Sequence, residues 1–222
     1  MKTEKNYNEK LLSSLSVKTE ICDSFLLNEE KSVETADKNI EITIIGFDEQ
    51  VNKDSEVQVA KINATQICTS MFADYMDEDD ECGVEIALIN IADYMDSFSG
   101  DECVVAENLG LFDCGGFANG KYKHLYEEMK GNLLYGNLFY IKDIIVNPEY
   151  RGIGIGTEIT KNLPNILNRV AGFSPTVVTL CATPIETDRE DAKFKDEEKK
   201  LFQFYKKCGY KNVGENVFLI LG

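Results

Sequence analysis

The densest chemical signal in this chain lies at residues 144–157. The apolar run Ile144-Ile145-Val146 leads through Asn147-Pro148-Glu149-Tyr150 into Arg151-Gly152-Ile153-Gly154-Ile155-Gly156-Thr157. Three glycines at alternate positions let the main chain approach a ligand closely. The N–H groups of such a turn, together with the positive end of a following helix, converge on a single anion. That chemistry is phosphate or pyrophosphate binding by backbone. A second cluster, Phe204-Tyr205-x-x-x-Gly209-Tyr210, puts a phenol four residues ahead of a glycine. A phenol still carries its proton at neutral pH and can donate it. Asp143 is the nearest carboxylate on the strand that feeds the glycine turn, a candidate base or positioning group. Each of these also has a structural reading: a tight turn, a packed aromatic and a surface carboxylate. Two other phosphate motifs do not fit, since the spacing is not Gly-x-Gly-x-x-Gly and no Walker lysine follows the glycines.

The order Val146-x-Pro148-x-x-Arg151-Gly152-x-Gly154-Ile155-Gly156, then Phe204-Tyr205-x-x-x-Gly209-Tyr210, resembles the cofactor-binding half of the GNAT superfamily of N-acetyltransferases. The resemblance covers roughly residues 133–221. It implies acetyl-CoA as cosubstrate and acetyl transfer to a primary amine. It also implies a sheet that splays between two parallel strands, here 138–146 and 176–183, with the pantetheine arm filling the gap. Backbone groups around Ile144, Ile145 and Val146 would pair with that arm and polarise the thioester. The turn from Arg151 through Gly152, Ile153, Gly154, Ile155, Gly156 and Thr157 would hold the pyrophosphate. Tyr205 would point its hydroxyl at the CoA sulfur as general acid, and Asp143 is the nearest match to a catalytic carboxylate. The departures are specific. Glu198 stands where many members carry a cofactor-contacting asparagine, and the segment 184–198 is long and charged. The alternative is a catalytically inactive GNAT-like module that binds acyl-CoA or a partner. Domains of this kind are often homodimers.

Elements must position these residues. Ile40, Ile42 and Ile44 alternate with polar residues, which predicts a strand over 39–47, and 56–67 reads as its antiparallel partner. Residues 138–146 form an almost continuous apolar strand. A helix over 156–171 follows, in which Pro164 should produce a kink and free the carbonyl of Thr160. A buried strand over 176–183, a helix over 195–208 ended by Gly209, and a strand over 217–221 complete the order. The expected fold is α/β, a mixed and mostly antiparallel sheet flanked by helices. Residues 1–38 read as a polar extension with short helices around Leu11, Leu12, Leu15 and Phe25-Leu26-Leu27. Residues 39–222 read as one acyltransferase domain with a divergent region at about 68–130. In that region Met71, Phe72, Tyr75 and Met76 have helical spacing, and Asp77-Glu78-Asp79-Asp80-Glu81 reads as a solvated loop. The glycine and alternating ligands of a calcium loop are missing from it.

Bulk composition narrows the partners. The 222 residues carry a formal charge of -16, which argues against nucleic acid, whose phosphates demand lysine and arginine clusters. An acidic mouth that attracts a cationic amine is one use for that charge. Seven cysteines without a Cys-x-x-Cys pair fit reduced thiols and a cytoplasmic location. The single histidine, His124, makes a metal centre unexpected, and it reads as a surface or packed helix residue. No apolar run approaches the roughly 20 residues of a membrane span, and the start has no signal-peptide core, so no membrane partner is expected.

Overall fold

The computed structural model describes residues 11, 14–22, 37–47, 56–72, 81–172 and 176–222. Seven strands form one sheet: β1 (Ser16–Cys22), β2 (Asp37–Phe47), β3 (Glu56–Cys68), β4 (Asn137–Val146), β5 (Thr176–Cys181), β6 (Lys211–Asn212) and β7 (Val217–Leu221). Their spatial order is β1-β2-β3-β4-β5-β7-β6. Only β4 and β5 run parallel; every other neighbouring pair is antiparallel. Five α-helices are described: α1 (Glu81–Asp96), α2 (Gly100–Asn108), α3 (Lys123–Tyr135), α4 (Ile155–Val170) and α5 (Phe194–Lys207). The fold class is therefore the α/β arrangement that the sequence predicts, a mixed and mostly antiparallel sheet flanked by helices.

Each face of the sheet has its own core. On one face Ile40, Ile42, Ile62, Phe139, Val178, Leu180 and Phe218 pack with Ile155, Ile159, Leu163 and Leu167 of α4. Those four α4 residues recur every fourth position, so one stripe of the helix is buried. Each such Ile or Leu contributes about 1.5–3 kcal/mol of apolar burial. On the other face Ile67, Leu138, Tyr140, Val177 and Leu219 pack with α1, α2 and α3 through residues such as Leu88, Val105 and Met129. These three helices occupy the divergent region. Ser99 caps α2, its oxygen accepting from the Asp101 N–H (3.2 Å) and its hydroxyl bonded to Glu102. The Ser-x-x-Glu spacing is that of a capping box, with the glutamate here bonded to the serine hydroxyl.

Several expectations change. Ser16–Cys22, within the stretch read as an extension, forms the edge strand β1, paired along β2 from Ser16↔Ile45 to Cys22↔Asn39. Leu11 is buried in the first core. Leu12, residues 25–27 and the acidic run at 77–80 lie outside the described residues. Met71 and Phe72 end a short 3₁₀ turn, Thr69–Phe72, and Tyr75 and Met76 lie outside the described residues. His124 is an exposed residue in the first turn of α3.

Pro164 lies inside α4, and the helix remains continuous from Ile155 to Val170. The proline has no N–H to give to the Thr160 carbonyl. That carbonyl instead accepts from the Tyr210 hydroxyl at 3.2 Å, in a buried contact. Tyr210 reaches it because Gly209, at φ +102°, turns the chain out of α5. The Gly209 N–H bonds the Lys206 carbonyl and the Tyr210 N–H bonds the Tyr205 carbonyl (both 3.1 Å), the two bonds of a Schellman ending. The Gly209-Tyr210 pair thus ends one helix and completes the hydrogen bonding of another. Replacing Tyr210 with Phe removes one oxygen and orphans a buried carbonyl. The expected loss is about 1–3 kcal/mol of stability, read as a lower urea midpoint with an unchanged slope.

Candidate cofactor cleft

The parallel pairing of β4 with β5 runs from Asn137↔Thr176 to Ile141↔Leu180 and stops there. β4 continues to Val146 with a strand partner on the β3 side alone. The sheet is therefore forked, and a cleft of about 660 Å³ opens in the fork. Its direction is set by a bulge. Asn63 pairs with Asp143 and Ala64 with Ile141, so Lys142 is the extra residue. Before it, Phe139 and Ile141 face the α4 side; after it, Ile144 and Val146 do. Asp143 is thereby turned to the opposite face, where its Oδ1 accepts from Asn63 Nδ2 at 2.7 Å.

Backbone polarity along the fork follows from one bond. The Asn147 N–H donates to the Val59 carbonyl at 2.9 Å. Val146, opposite Ala60, is then a non-hydrogen-bonded position of the antiparallel ladder, so its own N–H and C=O turn away from β3. Two residues back, Ile144 presents its N–H and C=O the same way. Ile145 alternates with them and directs its main chain toward Lys61 of β3. Of the three residues expected to meet a cofactor arm by backbone, Ile144 and Val146 are aimed into the cleft and Ile145 is not.

The glycine turn closes one end. Asn147 caps the short turn Pro148–Tyr150, its Oδ1 accepting from the Glu149 N–H (3.3 Å), and Tyr150 is buried beneath it. Gly152 and Gly154 have φ of +81° and +99°, conformations that side chains with a Cβ resist. Gly154 is the N-cap of α4 and offers no side-chain acceptor to the first turn. The first N–H groups of a 16-residue helix therefore point at the cleft mouth without a cap. A Cβ on Gly156 would meet Val146 Cγ2 at 3.5 Å, an ordinary van der Waals distance, so helix and strand stand about one methyl group apart there. Every site residue expected from the sequence lines the cleft except Ile153, which packs against the first core.

The opposite wall is α5. It buries no residue fully, and Leu201, Phe202, Phe204 and Tyr205 are only partly covered. Tyr205 lines the cleft. Its ring packs against Tyr210 and Phe218, with centroids 5.9 and 5.7 Å away. Its hydroxyl has no hydrogen-bond partner among the described residues. Burial pushes its pKa up to about 12, with Cys208 adding to the shift. Glu198 accepts from Asn216 Nδ2 at 2.7 Å and does not line the cleft, so this departure from the family pattern falls outside the site.

Among the cleft residues that sequence reasoning missed, four bear on its chemistry. Lys200 on α5 adds a cation to the wall, and Glu197 beside it is bonded to the Thr187 hydroxyl. Cys181 stands where the strands part, and burial pushes its thiol up to about 11, with Asp101 reinforcing the shift. It is a protonated thiol at neutral pH, and a poor nucleophile. Glu186, beyond β5, binds both terminal nitrogens of Arg151 at 3.0 and 2.6 Å, while Arg151 Nε donates to the Val146 carbonyl at 2.9 Å. Glu186 and Glu197 belong to the charged stretch 184–198, whose density hid them. No protein-family model, curated protein or solved structure matches this chain. No group of three or more metal-ligating side chains occurs among the described residues, and no helix there is long and apolar enough to cross a membrane.

The raised Tyr205 pKa makes a direct prediction. The folded state holds this proton more tightly than the unfolded chain, whose tyrosines titrate near 10. The resulting stability is whole below pH 10 and is lost as pH rises from 10 toward 12. In Tyr205→Phe, stability should fall less steeply over that window, as measured by urea unfolding at stepped pH.

Proposed function

We propose that the cleft binds acetyl-CoA and that the protein is an N-acetyltransferase acting on a primary amine. One observation carries this reading: β4 outruns β5, exposing backbone of Ile144 and Val146 beside an uncapped helix N-terminus. An extended amide-bearing arm can pair with such a strand edge as a further strand. A pyrophosphate can accept from the glycine turn and first turn of α4. Both requirements meet in one groove, and Arg151 and Lys200 add positive charge to an otherwise acidic chain.

The reaction follows from the two faces of the fork. The amine nitrogen attacks the thioester carbonyl, whose oxygen is polarised by N–H groups of β4. The C–N bond forms, the C–S bond breaks, and the ammonium proton passes to a base. Asp143, held by Asn63 on the face away from α4, is the residue proposed to take it. Tyr205 gives its proton to the departing thiolate and recovers one from solvent. The phenol's raised pKa keeps that proton available throughout the neutral range. On the acceptor side, Asp101 and Glu102 of α2 bias Tyr140 and Cys181 electrostatically, which favours a cationic amine.

Two substitutions separate binding from chemistry. Gly154→Val forces a Cβ into φ +99° at the anion cradle. It should weaken CoA binding at least tenfold, about 1.4 kcal/mol, by calorimetry. Tyr205→Phe keeps the ring and removes the proton; kcat should fall about 10²-fold or more while CoA affinity holds. CoA binding with no thiol release across a broad amine panel would favour the inactive module instead.

A further inference from the structure

Three of the five Arg151 N–H donors are engaged within the chain. Its Nε is committed to the Val146 carbonyl, and its two terminal nitrogens grip the Glu186 carboxylate end-on. This is the fork geometry by which a guanidinium also holds phosphate. Both partners line the cleft, one from the glycine turn and one from the loop after β5. The pair bridges the mouth of the fork, and it caps one of the two β4 carbonyls that face the cleft. Arg151 holds the Glu186 carboxyl below the usual carboxylate range. The carboxylate is therefore present as an anion at neutral pH.

We propose that Glu186 is an internal occupant of the anion site, a carboxylate that holds Arg151 until an incoming phosphate displaces it. The proposal rests on reading the glycine turn as a phosphate cradle. Three features support it. The side chains are 43% and 63% exposed, so water screens the pair and makes it cheap to exchange. The surrounding loop is itself exposed from residue 188 to residue 193, leaving room for the carboxylate to swing out. A phosphate seated on the glycine turn would face the Glu186 charge, so the two anions compete for one guanidinium rather than share it.

Displacement also has a route to the opposite wall. Thr187, next in sequence, bonds Glu197 in the first turn of α5, the helix that carries Lys200 and Tyr205. Filling the anion site thus tugs on the least buried helix of the cleft. The exchange tunes selectivity as well. Only a ligand whose anion binds Arg151 better than a tethered carboxylate gains the site, which favours pyrophosphate over single carboxylates.

The test is a double-mutant cycle on the full chain, with CoA and inorganic pyrophosphate as calorimetric probes. Glu186→Gln keeps the shape and removes the charge. It should tighten both probes about three- to fivefold, the scale of an exposed ion pair. In an Arg151→Gln background the same change should give no gain. Unchanged or weaker binding in Glu186→Gln overturns the proposal, because Glu186 would then be neutral or part of the grip. A gain that persists without Arg151 also overturns it, since general charge repulsion would explain the effect. If CoA fails to bind but the pyrophosphate cycle shows the coupling, the displacement stands and the acyl-CoA reading falls. If neither probe binds any variant, both fall.

Discussion

A strand in the middle of a sheet must satisfy hydrogen-bonding groups along two edges, and the outer half of β4 has a strand on only one. That constraint organises the molecule. Beyond Ile141 the edge facing β5 offers polar backbone to whatever lies in the fork. Such groups are expensive to leave buried and unpartnered. The structure keeps them accessible instead, by diverging β5 and placing a cleft between the strands. The bulge at Lys142 is the local device that makes this productive. It turns Ile144 and Val146 toward α4 while sending Asp143 to the opposite face, so the two sides of the fork present different chemistry.

The walls of the cleft differ in how firmly they are held. α4 buries a full stripe and is clasped through Thr160 to Tyr210, which itself follows the end of α5. The glycine turn is therefore mounted on a firmly packed element, which suits the anion cradle we propose. α5 buries no residue fully and is preceded by an exposed charged loop. Shallow burial marks the elements that open at low free energy. A cleft with one fixed and one yielding wall suits the long cosubstrate we propose, which would enter, be gripped at its phosphate end and leave again.

A formal charge of -16 would repel anions at long range, and the cleft lining mixes signs: Arg151 is paired with Glu186, and Lys200 stands beside Glu197. The anion attraction we propose for the glycine turn is thus local and made largely of backbone dipoles, which bulk composition does not register. On the opposite face Asp143 lies near the cleft together with Lys142, and Asp101 and Glu102 act on Tyr140 and Cys181. In the proposed reading the anionic donor meets the glycine turn on one side and the acceptor amine meets Asp143 on the other.

Much of this arrangement was legible beforehand. From residue 133 onward every strand and α-helix except the two-residue β6 followed from hydrophobic period and glycine punctuation, and boundaries moved by only one or two residues. The glycine turn was visible because its geometry is local: a backbone that must adopt positive φ at Gly152 and Gly154 needs those glycines in sequence. Tyr205 and Gly209 were visible for the same reason, since one helical turn and one αL residue relate them. The N-terminal edge strand was not, because β1 is a strand only by virtue of pairing with β2. Nor were α1 to α3 placed, since a weakly amphipathic run does not say which face of which strand will cover it. The partner of the Thr160 carbonyl was equally hidden. Pro164 declares that a carbonyl is freed, but a hydroxyl fifty residues away answers it. The Arg151–Glu186 bridge belongs to this second class too. What the sequence determined by itself was whatever depends on torsion angles and on neighbours within a turn. What the tertiary structure decided was which distant groups share the fork, because register, bulge and strand divergence arise from pairing between segments and from no segment alone.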